Sequence, residues 1–107
     1  MSDLQSKLPP EWFVLSESEA AKLEAELGRE LPSAHVLAGL PAKALARRQK
    51  RDDVLFQLAD GSLADVHLTW RIETLAGWPS TVIHKDLDAW KAWLVEDQLG
   101  FEEGDAQ

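Results

Sequence analysis

Two apolar runs, residues 53–58 (Asp-Val-Leu-Phe-Gln-Leu) and 63–70 (Leu-Ala-Asp-Val-His-Leu-Thr-Trp), flank a segment containing Asp60-Gly61. An Asp-Gly step between such runs is the strongest short-range signal for a β-hairpin. The second run alternates, with Ala64, Val66, Leu68 and Trp70 on one face and Asp65, His67 and Thr69 on the other. Residues directly opposite in an antiparallel pair share a face, so this pattern selects the register. A two-residue turn at Asp60-Gly61 would set Phe56 against Asp65 and Val54 against His67, with polar groups on the core side. A three-residue loop, Ala59-Asp60-Gly61, sets Phe56 against Ala64 and Val54 against Val66, with Gly61 in the left-handed position of a G1 bulge. The three-residue loop is therefore expected.

The remaining elements follow from weaker signals. Ser16 and Glu19 form a capping box ahead of Ala20, Leu23 and Leu27, and this first helix is expected to stop at Gly28, before Pro32. Ahead of it, residues 1–10 read as a flexible lead ending in Pro9-Pro10, and Trp12-Phe13-Val14-Leu15 as a compact apolar cluster. Residues 34–38 read as a short extended segment ending at Gly39. The stretch 42–48 has helix-friendly residues without a 3.6 period. Because it leads through the polar turn 49–52 straight into a strand, a strand near 43–48, paired with 53–59, is preferred. After the polar link 71–77 and Trp78-Pro79, residues 81–84 suit a further short strand. Asp86 or Asp88 then caps a second helix carrying Leu87, Trp90, Trp93 and Leu94, with Gly100 as its stop. Residues 101–107 read as an acidic frayed tail.

These elements predict one α+β domain over 1–107: a three- or four-stranded antiparallel meander with an N-terminal helix and a C-terminal helix packed against it. Val54, Phe56, Leu58, Val66, Leu68, Trp70, Trp90 and Leu94 are the expected core.

Composition narrows the function classes. The 107 residues suffice for one core, and the absence of cysteine removes disulfides, thiolate nucleophiles and cysteine-ligated metals. No apolar run is long enough to span a membrane, and the N-terminus lacks an apolar signal core, so a cytoplasmic protein is expected. The net charge of −8, from 19 acidic and 11 basic residues, disfavours phosphate backbones and anionic membranes and favours encounter with a basic protein partner. The basic run at 47–51 (Arg-Arg-Gln-Lys-Arg) accordingly reads as a solvated strand end and turn.

No residue set demands catalysis. His35, His67 and His84 are not at a zinc-ligand spacing, although His67, His84 and Asp65 would converge if the last strand lay beside the hairpin. Asp52-Asp53 reads as a pair of turn residues. Ser62 and Ser80 lack a Gly-x-Ser-x-Gly context and an evident base, and no glycine-rich phosphate loop exists. No catalytic residue, metal ligand or cofactor is therefore assigned. The candidate binding residues are Asp65, His67 and Thr69 on the polar strand face, His84, and Trp78 as a loop aromatic suited to an exposed contact.

The segments Asp-Asp-Val-Leu-Phe (52–56), Val-His-Leu-Thr-Trp (66–70) and Trp-Pro-Ser-Thr (78–81), followed by an Asp- and Trp-bearing helix, resemble a family of small, uncharacterised bacterial proteins. The resemblance spans roughly residues 30–97. It implies a bacterial α+β domain in a family of short cytoplasmic chains without an assigned activity, some of the immunity-protein kind that neutralise toxins, and it transfers no catalytic residue. The expected function is thus a non-enzymatic acidic inhibitor that recognises a basic protein. The alternative is a small metal- or small-molecule-dependent enzyme using the polar sheet face around His67.

Overall fold

The computed structural model describes residues 4–49, 51–75 and 77–95. The fold is α+β, built on a five-stranded antiparallel meander in the order β1-β2-β3-β4-β5. The strands are β1 (Trp12–Val14), β2 (Ala42–Arg48), β3 (Asp53–Leu58), β4 (Leu63–His67) and β5 (Ser80–His84). Helix α1 (Leu4–Lys7) precedes the sheet, α2 (Glu17–Glu30) links β1 to β2, and α3 (Leu87–Leu94) follows β5. The expected three or four strands become five because Trp12-Phe13-Val14, read as an apolar cluster, pairs with Arg48-Arg47-Ala46 as an edge strand. Its outer edge is closed by one side chain. The Gln5 amide donates to Trp12 O at 3.0 Å and accepts from Val14 N–H at 2.9 Å, standing in for a neighbouring strand.

The β3–β4 hairpin takes the three-residue loop. Phe56 faces Ala64 and Val54 faces Val66, and Gly61 adopts φ +91°. Leu58 N–H donates to Ser62 O, and Gly61 N–H donates to Leu58 O, each at 2.9 Å. The strand at 42–48 is present and carries a bulge, since Ala44 pairs with Phe56 but Ala46 with Leu55. Leu45 is the extra residue, so Ala44 and Ala46 point to opposite faces and both are buried. A bulge in the middle of a seven-residue strand erases the period-2 pattern, which is why its sequence shows none.

Each face of the sheet has its own core. Against α2 lie Ala44, Val54, Phe56, Leu58, Ala64, Val66 and Leu68, with Leu23 and Leu27 from the helix. Against α3 lie Trp12, Ala46, Leu55 and Leu63, with Trp90 and Leu94. Trp90 and Leu94, expected in the same core as Phe56, therefore occupy the opposite face. Trp90 packs edge-on to Trp12 with ring centroids 4.9 Å apart. Val54, Leu55 and Phe56 are buried in succession, as a strand covered on both faces requires.

Three further expectations are corrected. Helix α2, capped by the Ser16–Glu19 box, runs through Gly28 to Glu30; it ends at Leu31, whose extended backbone suits a residue preceding proline. Residues 34–38 form turns around His35, whose Nδ1 accepts Leu37 N–H at 3.0 Å and whose Nε2 donates to Pro79 O at 2.8 Å. Trp70 is exposed rather than core, for reasons given below. Helix α3 begins at Leu87, and its cap is Asp86, whose carboxylate accepts Ala89 N–H at 2.8 Å. The expected stop at Gly100 and the acidic tail lie outside the described residues. Among the described residues no helix is long and apolar enough to cross a membrane.

Candidate functional site

The α3 face of the sheet carries a row of side chains that cross all five strands. Trp12 on β1 pairs with Arg48 on β2. Asp53 on β3 pairs with His67 on β4, and His67 pairs with Ser80 on β5. Arg48 and Asp53 close the gap, with Arg48 Nη1 3.8 Å from Asp53 Oδ2. One residue pair further along the strands stands Asp65, opposite Val82. These residues line one cavity of about 130 Å³, walled on the helix side by Trp93 and Leu94.

The electrostatics of this cavity differ from those of a solvated strand face. Asp53 Oδ1 meets His67 Nδ1 at 2.7 Å, and the His67 side chain remains 51% exposed. A carboxylate on Nδ1 orients the ring and leaves Nε2 as the nitrogen available to a ligand. Arg48 is held by Glu11, at 2.7 Å from Nη2 and 2.8 Å from Nε, on the side away from Asp53. Asp65, only 8% exposed, accepts the Trp90 indole N–H at 2.9 Å. Burial pushes its carboxyl up to about 6, against the Trp90 hydrogen bond, and the nearby Asp53 charge adds to the rise. A hydrogen-bonded imidazole, a carboxyl able to carry a proton near neutrality and a cation in one recess are the components of acid–base chemistry or of a polar binding cleft.

Of the residues singled out in the sequence, Asp65 and His67 come together here. Thr69 does not. The chain leaves β4 after His67, and Thr69 turns toward α2, where the buried Glu30 carboxylate collects a set of donors. Thr69 N–H and Oγ1–H donate to Oε1 at 2.8 and 3.1 Å, and Trp70 N–H donates to Oε2 at 2.7 Å. Burial, then a hydrogen bond with Glu26, raises the Glu30 carboxyl above its ordinary value, against these donors. The clamp holds Trp70 at φ +62°, a left-handed conformation costly for any residue with a Cβ, and the residue is 45% exposed. His84 is on the cavity's face but pairs with Leu63, four residues along the strand from Ser80, and packs on Trp93 with ring centroids 5.0 Å apart. That offset, about 13 Å along the sheet, separates it from His67, so the composite His67/His84 site does not form. Trp78 is exposed in the β4–β5 loop.

No family model, curated protein or solved structure matches this chain.

Sequence reasoning missed Asp53 as the partner of His67, and Arg48 and Ser80 as its neighbours in the recess. Asp53 was within reach: the same register that sets Val54 against Val66 sets Asp53 against His67. Arg48 and Ser80 depend on the β2–β3 and β4–β5 pairings, for which the sequence offers no turn as decisive as Asp60-Gly61.

Proposed function

We propose that this chain is a binding protein that recognises a basic protein partner through the loop joining β4 to β5. The observation that carries this reading is the presentation of Trp70. A buried carboxylate is committed to holding it in an unfavourable backbone conformation while the residue stays exposed. Backbone strain maintained by surrounding structure is a marker of function. Trp70 also has company: Ile72 is 69%, Leu75 66% and Trp78 47% exposed. Four large apolar side chains in nine residues form the type of surface on which binding energy concentrates. The net charge of −8 supplies the attraction to a basic partner. Within the basic run, Arg47 lies 3.6 Å from Asp52, and Arg48 is paired with Glu11 and Asp53. An immunity-type inhibitor in the bacterial cytoplasm, the class suggested by the sequence resemblance, fits this chemistry.

The test compares the wild-type chain with a Trp70→Ala/Trp78→Ala variant as immobilised baits in bacterial lysate. The expected result is a protein of net positive charge retained by the wild type, lost by the variant and weakened by salt. Retention of the same proteins by both baits would overturn the reading.

The His67 cavity supports a second reading, an enzyme acting on a small molecule. Among the described residues no three His, Asp or Glu side chains are placed to hold a metal ion together, which favours the form of this reading that uses no metal.

A further inference from the structure

We propose that Asp53, His67 and Ser80 form a cross-strand nucleophilic site in which His67 activates the Ser80 hydroxyl toward small carboxylic esters. This deepens the enzymatic reading of the His67 cavity and is independent of the partner-binding reading. Three observations carry it. The residues stand directly opposite one another on three adjacent strands, Asp53 against His67 and His67 against Ser80, so all three side chains rise from the same face. Directly opposed residues have Cβ atoms about 4.5–5.5 Å apart, close enough for a serine hydroxyl to reach a histidine nitrogen by side-chain rotation. The ring is already polarised in the required sense: Nδ1 is bonded to Asp53 at 2.7 Å, which leaves Nε2 as the nitrogen not engaged by that carboxylate. Finally, Asp53, His67 and Ser80 line the same recess, of about 130 Å³, so a reacting group has a place to sit. This volume restricts the acyl group to a few heavy atoms.

The chemistry balances within the chain. Ser80 Oγ attacks the ester carbonyl carbon as His67 Nε2 takes the hydroxyl proton. Collapse of the tetrahedral adduct breaks the bond to the alcohol, which leaves with that proton. Water then gives a proton to His67 and attacks acyl-Ser80, releasing the carboxylic acid and restoring both groups. Arg48 lines the same recess, its charge already shared by Glu11 and Asp53. Ser80 and His67 are the catalytic residues and Asp53 a positioning residue.

The experiment treats the full-length folded chain with an alkyl fluorophosphonate and maps the adduct by peptide mass spectrometry, with p-nitrophenyl acetate hydrolysis followed in parallel. The expected result is an adduct on Ser80, absent from Ser62 and absent from the urea-unfolded chain. His67→Ala is expected to slow labelling about a hundredfold, the usual contribution of a positioned general base. Asp53→Asn should also slow it, with rate recovered in Asp53→Glu. Each variant is checked for native circular dichroism. An unmodified Ser80 in folded wild-type protein would overturn the proposal. Equal labelling in folded His67→Ala would also overturn it, because Ser80 would then react without its base. Loss of partner capture in the Trp70 variant with Ser80 labelling intact separates this site from the loop.

Discussion

The two faces of the sheet are made by alternate residues of the same strands, yet they are filled in opposite ways. Toward α2 the centre is apolar throughout: Val54, Phe56, Ala64 and Val66 are wholly removed from water beneath Leu23 and Leu27. Toward α3 the strands bury Leu55, Leu63 and Ala46 at one end, and at the other give way to Arg48, Asp53, Asp65 and His67 around a cavity. In β4 the contrast is residue by residue, with Ala64 and Val66 facing α2 and Asp65 and His67 facing α3. A strand of five residues thus contributes both to a dry core and to a polar recess. The α2 face is dry across its centre; the α3 face gives up part of its burial to a recess lined by ionisable groups.

The largest effect expected from this contrast is at Phe56. Its truncation to alanine removes a wholly buried ring from the dry face and should cost about 3–5 kcal/mol, a large share of the stability of a small domain. Urea unfolding should show the midpoint falling by that amount. A loss below about 1 kcal/mol would mean that this face is not the principal source of stability.

Glu30 tests the margin where the α2 face meets the loop. Glu30→Ala leaves the Thr69 and Trp70 amides without an acceptor. An orphaned donor costs about 1–3 kcal/mol, and because both of these are only part-buried a destabilisation of about 2–3 kcal/mol is expected. Amide hydrogen exchange at Thr69 and Trp70 should accelerate beyond what the global stability change explains, because the left-handed turn at Trp70 has lost what holds it.

How much of this was legible depended on whether one local pattern decided each placement. The hairpin was legible because face alternation and loop length had to agree, and only one register satisfied both. The strand at 42–48 was placed by its neighbours alone, since the bulge at Leu45 removes its periodicity. β1 is a three-residue edge strand, too short for any pattern to declare itself. The alternation ending in Trp70 looked continuous, but Glu30, forty residues away in the chain, redirects the backbone before it. In the site, Asp65 and His67 were readable as the polar side of one strand. Arg48 and Ser80 were not, because they arrive from other strands and only strand order brings them to His67.

Asp65 makes the α3 face pH-sensitive, with a definite sign. Its carboxyl titrates at about 6 in the folded chain against an ordinary 3.8. The folded state therefore holds the proton more tightly than the unfolded chain does. The resulting stabilisation is fully present below the unfolded value and is lost as pH rises through about 6. Asp65→Asn keeps an acceptor for the Trp90 indole and removes the buried charge. It should be more stable than the wild type by about 2–3 kcal/mol at neutral pH, from about 1.4 kcal/mol per pKa unit. The difference should shrink toward zero below about pH 4, read as the pH dependence of paired urea midpoints. An Asp65→Asn variant no more stable than the wild type at neutral pH would mean that Asp65 is better solvated than its burial implies.

The smallest effect asks what assigns residues to the two faces. Gly61 sits at φ +91° in the loop, with open space where a Cβ would be added, so Gly61→Ala meets no neighbour and carries only the left-handed backbone cost, about 1–2 kcal/mol. If the turn alone set the register, this substitution would also allow the strands to slip by one residue. A slip would turn Asp65 and His67 toward Phe56 and the α2 core and bring Ala64 and Val66 to the polar recess, burying unpaired polar groups at a cost above the strain relieved. The variant is therefore expected to lose about 1–2 kcal/mol while keeping its pairing. Cross-strand nuclear Overhauser contacts between Phe56 and Ala64, and between Asp53 and His67, should persist. Their replacement by a Phe56–Asp65 contact would show that the glycine, and not the difference between the two faces, decides which side chains reach the cavity.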